Sequence, residues 1–141
     1  MSKTGPVILV EDDPHDVDVI KAALLDIGVK NQIVYFEKTS LALEYLIATS
    51  DIPFLILCDI RMQGMNGLEF RDAINDHEFL KKKSVPFVFF TATVSQEIVN
   101  EAYGLTVQGF IEKPKSYEDL KQTLKKTVDY WMTCLHPNSF K

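Results

Sequence analysis

Cysteine is scarce here, and the two that occur are placed where a disulfide is not expected. Cys58 ends an apolar run and Cys134 lies in a helical pattern near the C-terminus. The first residues, Met1-Ser2-Lys3-Thr4-Gly5, contain no apolar secretory segment, so both cysteines are read as free thiols of a reducing compartment. Positive charge is not in excess either. Lys and Arg number 15 against 20 Asp and Glu, a net charge of −5, which argues against a general nucleic-acid or anionic-membrane surface. No apolar run approaches the length of a membrane span. Internal repeats and low-complexity tracts are absent. These absences predict a soluble, cytoplasmic protein with neither nucleic acid nor membrane as partner.

What is present describes an ordinary globular chain, 46% hydrophobic and 25% charged over 141 residues. That length fits one domain, with a core at about 6–133 and a short tail at 134–141. A chain of this size buries roughly two-thirds of its unfolded surface and needs no staples.

Five short β-rich runs alternate with amphipathic segments: Val7–Val10, Gln32–Phe36, Phe54–Cys58, Pro86–Phe90 and Val107–Ile111. Connections long enough for crossover helices make this the pattern of a parallel sheet. The first, third and fourth runs lack polar alternation, as central strands do, while Gln32 and Tyr35 suit the second to an edge. Five helices are expected. The first is capped by Asp13, opens on Pro14 and stops before Gly28, with Val17, Ile20, Leu24 and Ile27 in one stripe. The second opens at Thr39-Ser40, with Leu43, Leu46 and Ile47 inward. The third begins near Gly67 and carries Leu68 and Ile74; the fourth begins near Ser95, with Ile98 and Ala102. In the last, Ser116 and Asp119 resemble a capping box ahead of Leu120, Leu124, Val128, Trp131 and Leu135. Strand–helix five times over predicts a three-layer doubly wound α/β sandwich.

In such a sheet the carboxyl ends of the strands bind ligands. Three clusters directly follow strands there: Glu11-Asp12-Asp13, Asp59 and Lys113-Pro114. Glycine is missing from the first strand-to-helix turn, where a phosphate-binding sheet would need it, and three carboxylates stand there instead. Two like charges 4 Å apart cost on the order of 4 kcal/mol at an effective dielectric of 20. Asp59 adds to that cost unless a cation is present, and Mg²⁺ suits a few carboxylates, a phosphate and waters. Asp13 is assigned to the cap, which leaves Glu11 and Asp12 for the site. Carboxylates act as nucleophiles in aspartyl-phosphate chemistry. Thr91, ending the fourth strand, offers a hydroxyl, and Lys113 a cation for an added phosphoryl group. X-Pro bonds are the usual place for a cis peptide, so Lys113–Pro114 is a candidate for one.

Val7-Ile8-Leu9-Val10-Glu11-Asp12-Asp13, the stretch from Leu55 to Gly67, Phe90-Thr91-Ala92 and Gly109-Phe110-Ile111-Glu112-Lys113-Pro114 together resemble the receiver domain of bacterial two-component response regulators. The resemblance runs from about Pro6 to Trp131. It implies a flavodoxin-like sheet in the order 2-1-3-4-5 and Asp59 as phosphoacceptor, fed by the phosphohistidine of a sensor histidine kinase or a phosphotransfer protein. It implies Glu11 and Asp12 as the acid pair, with Asp12, Asp59 and the Arg61 backbone carbonyl holding Mg²⁺. Thr91 and Lys113 become phosphoryl ligands, and Phe110 the aromatic switch partner of Thr91, with Arg61 and Thr93 flanking the site. The signalling surface is then the fourth helix, fifth strand and fifth helix. Gln63 stands where the family usually has proline, and Leu105 where alanine is usual. Neither touches the chemistry, so a competent site is expected.

With only His136–Lys141 after the last helix, a stand-alone regulator is expected, acting as a phosphoacceptor and not an enzyme, through a downstream protein the sequence does not identify. The ending from Tyr130 to Pro137 is similar to that of regulators paired with phytochrome-type kinases, in which an aromatic-rich C-terminal region supports a homodimer. For Trp131, packing against the sheet edge is the simpler expectation. Two competing classes fit less well. A haloacid-dehalogenase-type phosphohydrolase wants an acid two residues after the nucleophile, where this chain has Arg61. A flavin-binding sheet needs a first turn that welcomes phosphate.

Overall fold

The structure, a computed structural model, describes residues 2–135. After a 3-10 turn at Ser2–Thr4 the elements run β1 (Val7–Val10), α1 (Pro14–Asp26), β2 (Ile33–Phe36), α2 (Thr39–Ala48), β3 (Leu55–Cys58) and α3 (Gly67–Asp76). They continue through α4 (Glu78–Lys83), β4 (Phe87–Thr91), α5 (Gln96–Gly104), β5 (Gly109–Glu112) and α6 (Tyr117–Thr133). The five strands are all parallel, in the order β2-β1-β3-β4-β5. This is the expected doubly wound sandwich. Strands β1, β3 and β4 are buried along their whole length and β2 is half-buried at one edge, as their composition required.

Side-chain alternation along the strands feeds two cores. Val7, Leu9, Leu55, Leu57, Val88 and Phe90 face α1 and α6. Ile8, Val10, Ile56, Cys58, Phe87 and Phe89 face the other helices. The Asp13 carboxylate accepts from the His15 and Asp16 N–H groups and Pro14 takes the first helical position, so α1 starts where expected. Gly28, at φ +88°, ends it. Ser116 caps α6 by accepting from the Asp119 N–H, which is half of the expected box. A full capping box forms instead at α3, between Asn66 and Glu69.

Three expectations need correction. The described residues form six α-helices and not five. The extended backbone of His77 breaks the third helical segment, its Nδ1 accepts from the Leu80 N–H, and Lys81–Lys83 suit the C-terminal end of the resulting α4. One turn and a half anchored by Leu80 is too short to show a period. Ile47 does not face inward: it is 41% exposed, and Ala42 and Leu46 make the contact with the sheet. Leu135 lies beyond the end of α6 and is 72% exposed. The described peptide bonds are all trans, Lys113–Pro114 included. Cys58 and Cys134 are both free. Most of the expected tail, and the His136-Pro137 part of the C-terminal motif, lie outside the described residues.

One cross-link orders the far side of the molecule. Arg71 of α3 donates from Nε to the Leu105 carbonyl (3.2 Å) and from Nη2 to the Thr106 carbonyl (3.0 Å), and the Asn75 amide donates to Leu105 as well (2.8 Å). The connection between α5 and β5 is thereby fastened to α3. No described helix is long and apolar enough to cross a membrane.

Candidate functional site

Sheet register brings the expected residues together. Val10 pairs with Cys58, so Glu11 and Asp59 leave adjacent strands side by side, and the Asp59 N–H still donates to the Val10 carbonyl. On the other flank Thr91 pairs with Glu112, and the Lys113 N–H donates to the Thr91 carbonyl. The three clusters therefore converge at one end of the sheet because each follows its strand immediately.

Asp59, 9% exposed, is held from several directions. Its Oδ1 accepts from the Ile60 N–H (2.7 Å) and from the Thr91 hydroxyl (2.6 Å). Its Oδ2 accepts from Lys113 Nζ at the longer distance of 3.2 Å. Thr91 is fully buried and its Oγ1 also accepts from the Thr93 N–H (3.1 Å), which fixes the hydroxyl's direction. Lys113 bridges three acids: Glu11, Asp59 and Asp16, the last through Oδ2 at 2.8 Å. Asp16 was missed. Its one signal was a place three residues after the cap Asp13, on the turn of α1 that overlooks the site.

Burial is the largest influence on Glu11, which is 2% exposed. It pushes the carboxyl up to about 7, with Asp59 adding repulsion and the Lys113 hydrogen bond opposing the rise. For Lys113 burial works downward, but the hydrogen bonds to Asp16 and Glu11 and the charge of Asp59 outweigh it and hold the ammonium above its ordinary range. The neighbouring thiol of Cys58 is fully buried and pushed well up, so it stays protonated and takes no part.

Around these groups lies an open cleft of about 510 Å³, lined among others by Asp12, Asp13, Arg61, Ala92 and Thr93. Asp12 is exposed at its edge and Asp13 is occupied as a cap. Phe110 on β5 sits farther in, half-buried, its ring 6.0 Å from that of Phe89. All the expected residues thus reach one place except Phe110, which stands behind the site, packed against the core.

The model of the response regulator receiver domain matches residues 7–125. The chain belongs to that family. This receiver is 29% identical over 130 residues to the probable methanogenesis regulatory protein FilR2 of Methanothrix harundinacea, covering 89% of this chain and 83% of FilR2. It is 23% identical over 131 residues to response regulator Rcp1 of Synechocystis, covering 89% and 88%. The crystal structure of the phosphorylated cyanobacterial phytochrome response regulator RcpA superposes on it with a TM-score of 0.83 at 26% identity, over 93% of this receiver and 96% of RcpA. The Mn(2+)-bound form of Rcp1 does so with a TM-score of 0.78 at 21% identity, over 93% and 96%, a likeness of fold. The receiver domain is thus one of two-component signalling, homologous to phosphoacceptor regulators along nearly its whole length.

Proposed function

We propose that this receiver takes a phosphoryl group onto Asp59 from the phosphohistidine of a sensor histidine kinase or a phosphotransfer protein, in a Mg²⁺-dependent reaction. It acts as a phosphoacceptor and not as a turnover enzyme. The observation that carries the reading is the Asp59 carboxylate itself, buried at the end of a central strand with two donors on Oδ1 and only the longer Lys113 contact on Oδ2.

The donor set fits Mg²⁺. Among the described residues no three acids converge into a finished metal cage, and Lys113 stands between Glu11 and Asp59. The two carboxylates of Asp12 and Asp59, with a carbonyl oxygen and waters, are a donor set that Mg²⁺ accepts. The Asp12 and Asp59 carboxylates and the Arg61 carbonyl would hold it, with Glu11 behind them; Arg61 and Asp12 both line the cleft. That Rcp1, a protein of the same fold, has a Mn(2+)-bound form agrees with a divalent ion in such a cleft. When bound, the ion supplies charge neutralisation at the phosphoryl oxygens.

Asp59 Oδ2 attacks phosphorus in line as the bond to the histidine nitrogen breaks, and the bonding pair stays on the imidazole. Little covalent work is asked of the protein beyond positioning and charge. Lys113 and the Thr91 hydroxyl, both already hydrogen-bonded to the carboxylate, pass to the new phosphoryl oxygens. Movement of Thr91 changes the space in front of Phe110, and the face formed by α5, β5 and α6 responds. A downstream protein or a second copy of the chain would read that face.

Intact mass after incubation with Mg²⁺ and a small-molecule phosphodonor tests the reading. One added phosphoryl group is expected in the wild type, with none in Asp59→Asn or without the ion. A mass unchanged in the wild type would remove Asp59 from its role.

A further inference from the structure

The end of the sheet opposite Asp59 carries a second cavity, of about 330 Å³, within the range of small-molecule sites. Leu46 of α2, Ile56 of β3, Ile74 of α3 and Leu80 of α4 give it an apolar wall, and Trp131 of α6 closes one side. Arg71, Lys81 and Lys83 line it too, and no Asp or Glu does. In a chain of net charge −5, a cavity whose only charged groups are three cations is selective in sign.

Arg71 is the telling member. It is 8% exposed, and its guanidinium lies 5.1 Å from the centroid of the Phe87 ring. Two of its N–H groups are spent on the Leu105 and Thr106 carbonyls. A guanidinium has five, so donors remain, and among the described residues no carboxylate forms an ion pair with it. A buried cation without an anion is costly, and burial lowers its pKa accordingly. Lys83 is buried as well, but its Nζ is engaged by the Leu46 and Thr49 carbonyls (3.1 Å each) and by the charge of Asp51, so it is not counted as a ligand group.

Among the described residues, positive φ occurs at two non-glycine positions, Ser84 (51°) and Thr106 (59°), and both line this cavity. Both follow the end of a helix, α4 and α5, where a left-handed residue commonly closes the last turn. The Thr106 carbonyl is gripped by both Arg71 and Gln108.

We propose that this basal cavity binds an amphiphilic organic anion, its compact apolar body against Ile56, Ile74 and Leu80 and its anionic head toward Arg71 and Lys81. Lys81 and Ser84 are exposed and mark the way in.

Trp131 is the only tryptophan of the chain, so its emission reports on the cavity. The folded, full-length protein is titrated with anilinonaphthalene sulfonate, and in parallel with phenylnaphthylamine, which has the same aromatic body without the charge. Saturable one-to-one binding of the anionic dye with quenching of Trp131 is expected, tighter than the neutral dye by roughly tenfold, which is about 1.4 kcal/mol. Lys81→Glu, a surface change, is expected to weaken the anionic dye by a similar factor and leave the neutral one alone. Arg71→Met is expected to abolish anionic binding, with circular dichroism to verify the fold; if that variant does not fold, Lys81→Glu decides. Dye binding without quenching of Trp131, equal binding of the two dyes, or indifference to Lys81→Glu would each overturn the proposal.

Discussion

Glu11 sits almost without solvent beside a lysine and another acid, and its carboxyl is raised to about 7 from an ordinary value of 4.5. The folded state therefore holds the Glu11 proton more tightly than the unfolded chain does. This contribution to stability is full below pH 4.5 and is lost as pH rises through 7, to the extent of at most about 3 kcal/mol. In metal-free buffer the melting temperature should fall over that window, and Glu11→Gln should flatten the fall. A profile identical in the two proteins would show that Glu11 is not the group responsible. Thr91→Ala removes a buried hydrogen bond to Asp59 while the Ile60 N–H still serves the same oxygen, so a loss of about 1 kcal/mol is expected in urea titrations. The site was legible at this scale where chain chemistry forces a choice: Pro14 fixes the start of α1, Asp13 must cap it, and Glu11 and Asp12 are left over. Asp16 was not legible, because nothing in a sequence says which turn of a helix will face a lysine 97 residues away.

Gly67, the first residue of α3, shows how an element is fitted to its neighbour. A Cβ there would lie 2.2 Å from the Asp59 carbonyl oxygen and 2.9 Å from the Ile60 Cα, both backbone atoms that cannot step aside. Gly67→Ala should cost about 1–3 kcal/mol and also slow phosphorylation, because relief requires moving the segment that carries Asp59. Gly64, four residues past Ile60, makes the contrast. Its φ is +74° with nothing within 4 Å of a built Cβ, so Gly64→Ala should cost only the backbone preference, about 1 kcal/mol, and spare the chemistry. Equal losses of phosphorylation in the two variants would contradict the close-approach argument. Elements that announce themselves by long periods or strong caps were read correctly from the sequence. Helix α4 was not, since its break depends on the backbone at His77, and Ile47 was misplaced because an apolar residue one step off the stripe looks the same in one dimension.

Across the whole molecule the sheet was the most legible part, because strands buried on both faces can afford no polar alternation and β1, β3 and β4 have none. The two edges were harder. Strand β5 is only half-buried and begins two residues later than its apolar run, since Val107 and Gln108 are spent on the turn into it. Helix α5 is the lightest-held piece beside it: Ala102 is its one buried residue. Its far end, however, is pinned where Arg71 and Asn75 grip the carbonyls of Leu105 and Thr106. Amide exchange should accordingly be much faster in α5 than in β1 or β3, and uniform protection across the three would refute this. A helix fastened at one tip and held along its length mainly by Ala102 and Ile98 would act as a lever, with its pivot at Leu105 and its free tip at Ser95, two residues past Thr93. A shift at the carboxylate would then reach the α5, β5 and α6 face first as a swing of α5 about the point where Arg71 and Asn75 hold it.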